Sequence, residues 1–279
     1  MADMAGGFVA VPGWRLYYEE EGPGPPLVLL HAGVANLRQW DPHVPAFVER
    51  YRVIRYDTRG FGRTETDHVE FTNRADVGAV LDHFGAEAAH VLGCSRSGSI
   101  ATDFAVDHPE RVTSLAVVAG GLGGYQAEVP PEAQALGDAM EHASEAAYEA
   151  KDWARLADLE ADYWTDGPGQ PAGRVDPAIR ALVYDWVYTT YAAEKEEGVP
   201  QRLDPPAATR LDALTMPLLV ILGDLDEAHT NASMRHLAAS VPGARLEVFE
   251  GAAHMLNLEQ PERFTRTVLD FLAVVDRDS

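Results

Sequence analysis

A single cysteine, Cys94, stands among 279 residues, so no intrachain disulfide can form and nothing points to an oxidising compartment. No apolar run approaches the roughly 18 residues of a membrane span. The opening residues Met1-Ala2-Asp3-Met4-Ala5-Gly6-Gly7 lack the basic region and apolar stretch of a secretory signal. Basic residues are scarce: 22 Lys and Arg stand against 44 Asp and Glu, a formal net charge of −22. Such a surface repels phosphate backbones and anionic membranes, which argues against nucleic acid and membrane as partners. Also missing are a glycine-rich phosphate loop, a dinucleotide fingerprint, a low-complexity tail and an internal repeat. The expectation is a cytoplasmic protein, monomer or homodimer, that takes a small-molecule partner and needs no cofactor or metal.

What is present suits a large core. With 46% hydrophobic and 24% charged residues, the chain reads as one ordinary globular domain carrying an insertion. Phe8-Val9-Ala10-Val11 and Trp14-Arg15-Leu16-Tyr17-Tyr18, joined through Pro12-Gly13, read as a hairpin. Apolar runs at 26–30, 51–56, 89–92, 114–119, 218–222 and 246–249 read as strands. A broken helix over 38–50 and a helix over 75–84 fall between them, the latter with Val77, Val80, Leu81 and Phe84 at helical spacing. Strands alternating with helices imply an α/β fold with a mostly parallel central sheet flanked by helices. The alternation fails over 121–212, where no strand-like run appears and the stretch reads as helices broken at Gly167-Pro168-Gly169 and Pro205-Pro206. One of these helices begins at Asp176-Pro177. Residues 1–120 and 213–279 therefore read as the core and 121–212 as its insertion.

The densest signal is Gly93-Cys94-Ser95-Arg96-Ser97-Gly98, where an apolar run stops and a helical pattern begins. A serine on such a strand-to-helix turn is pushed out of the sheet, with backbone N–H groups of the new helix beside it. The turn needs small residues two positions before and after the serine, and Gly93 and Ser97 meet that need around Ser95. Ser97 replaces the usual glycine. It is also a rival nucleophile, although it falls inside the first helical turn, whereas the strand runs straight into Ser95. Cys94 should point away from Ser95 as a buried small hydrophobe.

Other groups follow at set topological places. His31-Ala32-Gly33 leaves the strand at 26–30, Gly223-Asp224-Leu225-Asp226 leaves the strand at 218–222, and Gly251-Ala252-Ala253-His254 follows the last strand. Supporting stretches are Asp57-Thr58-Arg59-Gly60-Phe61-Gly62-Arg63, His108-Pro109-Glu110-Arg111-Val112 and Glu259-Gln260-Pro261-Glu262-Arg263-Phe264. With these in order, the chain resembles the α/β-hydrolase superfamily along nearly its whole length. Tyr56-Asp57-Thr58-Arg59-Gly60 and Leu37-Arg38-Gln39-Trp40-Asp41 look more particularly like the enol-lactonase and small-ester branch.

That resemblance implies a catalytic triad of Ser95 as nucleophile, His254 as general base and Asp226 as the acid that orients it. Asp224 is the alternative acid. The backbone N–H groups of Arg96 and Gly33 would form the oxyanion hole, with Val34 the donor if the loop is shifted and Ala32 replacing the family's first glycine. Residues 121–212 become a helical cap over the catalytic loops, and Asp57 with 59–62 a structural turn. Val34, Trp40, Trp153, Trp164, Trp186 and Met255 are the candidate substrate-binding residues. His31 reads as a brace of the oxyanion turn. Asp224, Asp226, Glu227 and His229 do not need a metal to explain them.

The function implied is hydrolysis of a small carboxylic ester or lactone through an acyl-enzyme. Perhydrolase, carbon–carbon hydrolase and cofactor-independent oxygenase chemistries use the same triad. A ligand-binding protein on a hydrolase fold is the alternative from another class. The Arg96 side chain has two readings: recognition of a substrate carboxylate, or a clasp onto an acidic residue of the cap.

Overall fold

A computed structural model describes residues 5–196 and 198–278; residues 1–4, part of the stretch read for a secretory signal, lie outside them. Ten strands appear among the described residues: β1 (Ala5–Val11), β2 (Trp14–Glu21), β3 (Pro26–Leu30), β4 (Arg52–Tyr56), β5 (Glu70–Phe71), β6 (Ala89–Cys94), β7 (Val112–Val118), β8 (Val199–Pro200), β9 (Leu218–Gly223) and β10 (Arg245–Phe249). The α-helices are α1 (Val44–Phe47), α2 (Asn73–His83), α3 (Arg96–Asp107), α4 (Pro131–Glu149), α5 (Trp153–Asp166), α6 (Pro177–Ala192), α7 (Ala228–Ser240), α8 (Leu256–Glu259) and α9 (Pro261–Asp278).

Eight strands form one sheet in the order β1-β2-β4-β3-β6-β7-β9-β10. β1 pairs antiparallel with β2 and β2 with β4, while every other pairing in the sheet is parallel. Parallel strands of this kind must be covered on both faces, and the apolar runs provide for that. All of β6 and β9 is buried. Their side chains alternate between two cores, as the period of two demands. Val28, Leu30, Val91 and Val220 join the cluster beneath α2, α3 and α7; Leu27, Leu29, Leu92 and Ile221 join the one that includes Phe47, Phe264 and Val268. Each fully buried Leu, Ile or Val contributes about 1.5–3 kcal/mol of transfer free energy.

Helices pack by the spacing seen in the sequence. Val77, Val80 and Leu81 are the buried face of α2, and Ile100, Ala101, Phe104 and Ala105 that of α3. The broken helix over 38–50 is a 3-10 turn at Leu37–Trp40 followed by the short α1. One expectation needs correction: the 121–212 stretch does contain a strand. β8 pairs in parallel with β5 through Glu70↔Val199 and Phe71↔Pro200. Two residues per strand are too few for any apolar alternation to show.

Helices α4, α5 and α6 lie between β7 and β9 in the chain. Ala157 and Ala161 of α5 and Val183, Trp186 and Val187 of α6 belong to the second core cluster. The loops after β3, β6, β9 and β10 gather at the carboxyl ends of the parallel strands, where ligands of open α/β sheets bind.

Candidate active site

Ser95 joins β6 to α3 with φ 56° and ψ −124°, a conformation costly for a residue with a side chain. Its N–H donates to the Val118 carbonyl at 2.8 Å, which fixes the turn. A Cβ at Gly93 would collide with the Ser97 carbonyl, so the position two before the serine tolerates only glycine. Ser97 itself is fully buried in the first turn of α3. Cys94 is fully buried as well, and burial pushes its thiol up to about 12.

His254, in the loop after β10, places Nε2 2.7 Å from Ser95 Oγ. On the other edge of the ring, Nδ1 lies 2.9 Å from both Asp226 carboxylate oxygens. A carboxylate accepts only, so Nδ1 carries the proton and Nε2 is left to accept from the serine. Asp226 Oδ1 also accepts from the Glu227 N–H at 2.7 Å. Asp224, the alternative acid, turns instead to the Gly251 N–H at 2.7 Å. His229 Nε2 meets Gln134 Oε1 at 2.7 Å, and Glu227 accepts from Thr230 at 2.9 Å.

Arg96 is the first residue of α3, so its N–H has no acceptor within the helix. Gly33 and Val34 leave β3 opposite it, and among the described residues neither N–H has a hydrogen-bond acceptor. All three N–H groups are thus without an acceptor among the described residues. The loop bearing two of them is tightly held. His31 donates from Nδ1 to the Ala32 carbonyl at 2.7 Å and accepts the Thr58 N–H at Nε2, 3.1 Å away. Full burial pushes its pKa down to about 3, so the ring stays neutral. From the other side, Gln39 Oε1 accepts the Ala32 N–H at 2.8 Å.

Gln39 in turn donates through Nε2 to Asn257 Oδ1 at 3.2 Å. Asn257 Nδ2 donates to the Gln39 carbonyl and to His43 Nε2, and His43 Nδ1 meets Thr265 Oγ1 at 2.8 Å. Gln39, His43 and Asn257 are fully buried. Burial holds His43 down to about 3, in keeping with a ring that accepts at one nitrogen and donates at the other. Sequence reasoning missed this chain. The one local signal was the placement of Asn257 a helical turn after His254.

Asp57 behaves as the structural turn expected of it, accepting the Leu37 N–H at 2.9 Å and the Arg63 N–H at 2.8 Å. Burial nonetheless raises its pKa to about 6. Arg59 pairs with Asp76 at 2.7 Å.

The family profile described as alpha/beta hydrolase fold matches residues 25–261. The chain belongs to the α/β-hydrolase fold family. It is an enzyme of that family, and named relatives span several substrates. It is 30% identical over 272 residues to a 2-hydroxy-6-oxononadienedioate/2-hydroxy-6-oxononatrienedioate hydrolase of Paraburkholderia phymatum, covering 92% of this chain and 91% of the relative. It is 28% identical over 284 residues to a pimeloyl-[acyl-carrier protein] methyl ester esterase of Aeromonas hydrophila, covering 91% and 98%. The crystal structure of an enol-lactonase from Burkholderia xenovorans superposes with a TM-score of 0.75 at 27% identity, covering 96% of this chain and all of that one.

In this hydrolase the candidate substrate-binding residues divide. Trp164 of α5 lies against His254, ring centroids 4.3 Å apart, and its Nε1 donates to Glu160 Oε2 at 2.5 Å. Trp153 stacks on Tyr191 and borders a cavity of about 630 Å³ with Phe61 and Lys195. Trp164, Tyr163 and Glu160 border a second of about 670 Å³. Val34 sits half-buried in the loop after β3. Trp40, Trp186 and Met255 belong to the buried core. Trp40 stacks on Phe264 at 6.1 Å, and Met255 turns inward with α8. Aromatic and sulfur side chains serve packing and binding equally well, so residue type alone could not separate them. Glu160 was missed; a carboxylate four residues before a tryptophan is an ordinary helical spacing. The clasp reading of Arg96 also falls: among the described residues no carboxylate pairs with its guanidinium, which reaches Thr58 and Asn73 instead.

Among the described residues no helix is long and apolar enough to cross a membrane.

Proposed function

We propose that the protein is a serine hydrolase that cleaves a small-molecule carboxylic ester or lactone through a Ser95-His254-Asp226 triad. The observation that carries this reading is the continuous hydrogen-bonded line from Ser95 Oγ through the imidazole to both oxygens of Asp226. His254 Nε2 takes the proton as Ser95 Oγ bonds to the carbonyl carbon, and Asp226 stabilises the imidazolium that results. The carbonyl oxygen, now an oxyanion, is met by the Arg96 N–H together with that of Gly33 or Val34. His254 then gives its proton to the departing alcohol oxygen, leaving an acyl-enzyme. A water deprotonated by the same nitrogen attacks the acyl carbon, and the bond to Ser95 Oγ breaks as His254 returns the proton to that oxygen, releasing the acid and the free serine. In a lactone the departing oxygen stays attached to the product.

Helices α4 to α6 serve as the cap in this reading, and Trp164 is the cap residue that meets the catalytic ring. A second reading is supported by the Paraburkholderia relative, whose named substrate contains a ketone and carboxylates but no ester. The same triad would there cleave a carbon–carbon bond beside the ketone.

Labelling with a fluorophosphonate probe tests the proposal. A stoichiometric adduct on Ser95, with turnover of aryl esters or lactones, is the expected result. A folded protein that takes no adduct at Ser95 would overturn it in favour of a ligand-binding protein.

A further inference from the structure

Arg96 is a sheltered cation whose hydrogen-bond partners are both neutral. Two other buried arginines show the contrast. Arg55 holds Glu19 at 2.7 Å and Asp41 at 2.5 Å, and Arg59 holds Asp76 at 2.7 Å. Arg96 donates to Thr58 Oγ1 at 3.2 Å and Asn73 Oδ1 at 3.4 Å, both neutral. The guanidinium lies over the Phe61 ring, 5.2 Å from its centroid. The field of Asp76 reaches it, but both Asp76 oxygens are taken by Arg59 at 2.7 and 2.9 Å. Burial lowers the Arg96 pKa, and the fields of Tyr56, Tyr191 and Asp76 do not fully offset it. A guanidinium has five N–H donors, and two are engaged.

Its position ties it to the catalytic serine. The side chain runs along the oxyanion loop: a Cβ built on Gly33 would lie 3.5 Å from Arg96 Cβ and 3.6 Å from Cδ. Tyr191 of α6 is close enough to act on its charge. A cavity of about 390 Å³ opens beside it, bordered by Asn73, Arg74, Ser99, Asp103 and Arg202. Arg74 in that wall is already paired with Asp107 at 2.8 Å, whereas no ion pair engages Arg96 among the described residues. Nothing in the fold requires this, since a leucine or methionine would pack there without desolvating a charge.

We propose that Arg96 is a specificity residue that binds a carboxylate carried by the substrate, so that the preferred substrate is an ester or lactone bearing a free acid group. The planar guanidinium offers two parallel N–H donors to both carboxylate oxygens, a match no ammonium provides. The anion supplies the charge that Thr58 and Asn73 do not. This inference rests on the hydrolase reading above, and its test separates the two.

The test compares p-nitrophenyl monoesters of short straight-chain dicarboxylic acids with their methyl-capped neutral counterparts. The wild-type protein is expected to favour the acid-bearing ester in kcat/KM by about tenfold or more, the scale of a charge-assisted hydrogen bond made only by the acid. Arg96→Met should bring the ratio near one, chiefly through KM, and Arg96→Lys should keep part of the preference. Turnover of both esters by the wild type without preference would overturn the inference and leave the hydrolase reading standing. Absence of all turnover would count against the hydrolase reading alone, because a binding measurement decides the inference separately. In that measurement glutarate should raise the melting temperature of Ser95→Ala protein, and the rise should vanish in Ser95→Ala/Arg96→Met. An equal rise in both would overturn the inference.

Discussion

Gln39 and Asn257, 218 residues apart in sequence, share a 3.2 Å hydrogen bond that ties the loop carrying Gly33 to the segment carrying His254. The loop after β3 and the loop that places His254 against Ser95 are thereby tied together by one buried amide pair. Replacing Asn257 with leucine should lower kcat by about ten- to a hundredfold with little change in KM, as expected when reacting groups are displaced and ground-state binding is not. Gln39→Leu should do the same, and the double variant should cost much less than the product of the two. Steady-state kinetics on the four proteins checks this; fully multiplicative losses would show that the pair does not act as a unit.

Among the serines, Ser95→Ala should lower kcat by about a millionfold, while Ser97→Ala and Cys94→Ala keep most activity. Ser97 and Cys94 are fully buried, away from the His254 nitrogen that Ser95 meets. If Ser97→Ala were equally inactive with its fold intact, the nucleophile would have to be reassigned.

Asp226→Asn should cut kcat by about ten-thousandfold, because an amide no longer holds the imidazole in the tautomer that accepts from serine. Asp224→Asn should be mild, since Asp224 caps the Gly251 N–H and does not touch the ring. Reversal of the two effects would move the acid to Asp224.

His43 gives a stability signature. Its folded pKa lies at about 3, below the ordinary histidine value, because the ring is buried. The unfolded chain therefore binds a proton on this residue below about pH 6.5 that the folded one refuses. The stability this group leaves intact above pH 6.5 is lost as pH falls from there toward 3, by up to ~1.4 kcal/mol per pH unit. His43→Gln lacks that loss. Denaturant titrations at pH 7.5 and 5.5 should find the wild type's advantage over the variant shrinking at the lower pH; a constant gap would contradict the assignment.

The tryptophans separate by location. Trp40→Ala should cost about 3–5 kcal/mol of unfolding free energy, as a core cavity does. Trp164→Ala should alter KM and kcat while costing the fold less, since Trp164 faces the site. A KM change as large for Trp40 as for Trp164 would restore Trp40 to the pocket.

Much of this arrangement was legible in the residues. Local chemistry marks the turn at Gly93-Cys94-Ser95, and the order of strand ends marks Asp226 and His254, because these features depend on neighbours in sequence. The alternation of apolar runs and helical stripes likewise set out the parallel sheet. What escaped depends on distance. Gln39 and Asn257 meet only after the whole sheet is assembled, and nothing local distinguishes their amides from surface ones. β5 and β8 are two residues each, below the length at which a pattern exists. For Trp40 and Trp186 the difficulty is different: a large ring fits a core and a pocket equally.

The strands on either side of the α4–α6 segment, β7 and β9, are hydrogen-bonded neighbours through Leu115↔Leu218 to Val118↔Ile221. The chain thus leaves the sheet and re-enters it across a closed seam. Lengthening, shortening or exchanging those helices would leave every ladder of the main sheet paired, and would leave Ser95, Asp226 and His254 on loops outside the exchanged segment. Under the proposed function, the residues of the triad and most of those that would choose the substrate therefore lie on separately replaceable stretches of chain. Arg96 would be the exception, a selecting side chain on the residue whose backbone would steady the oxyanion.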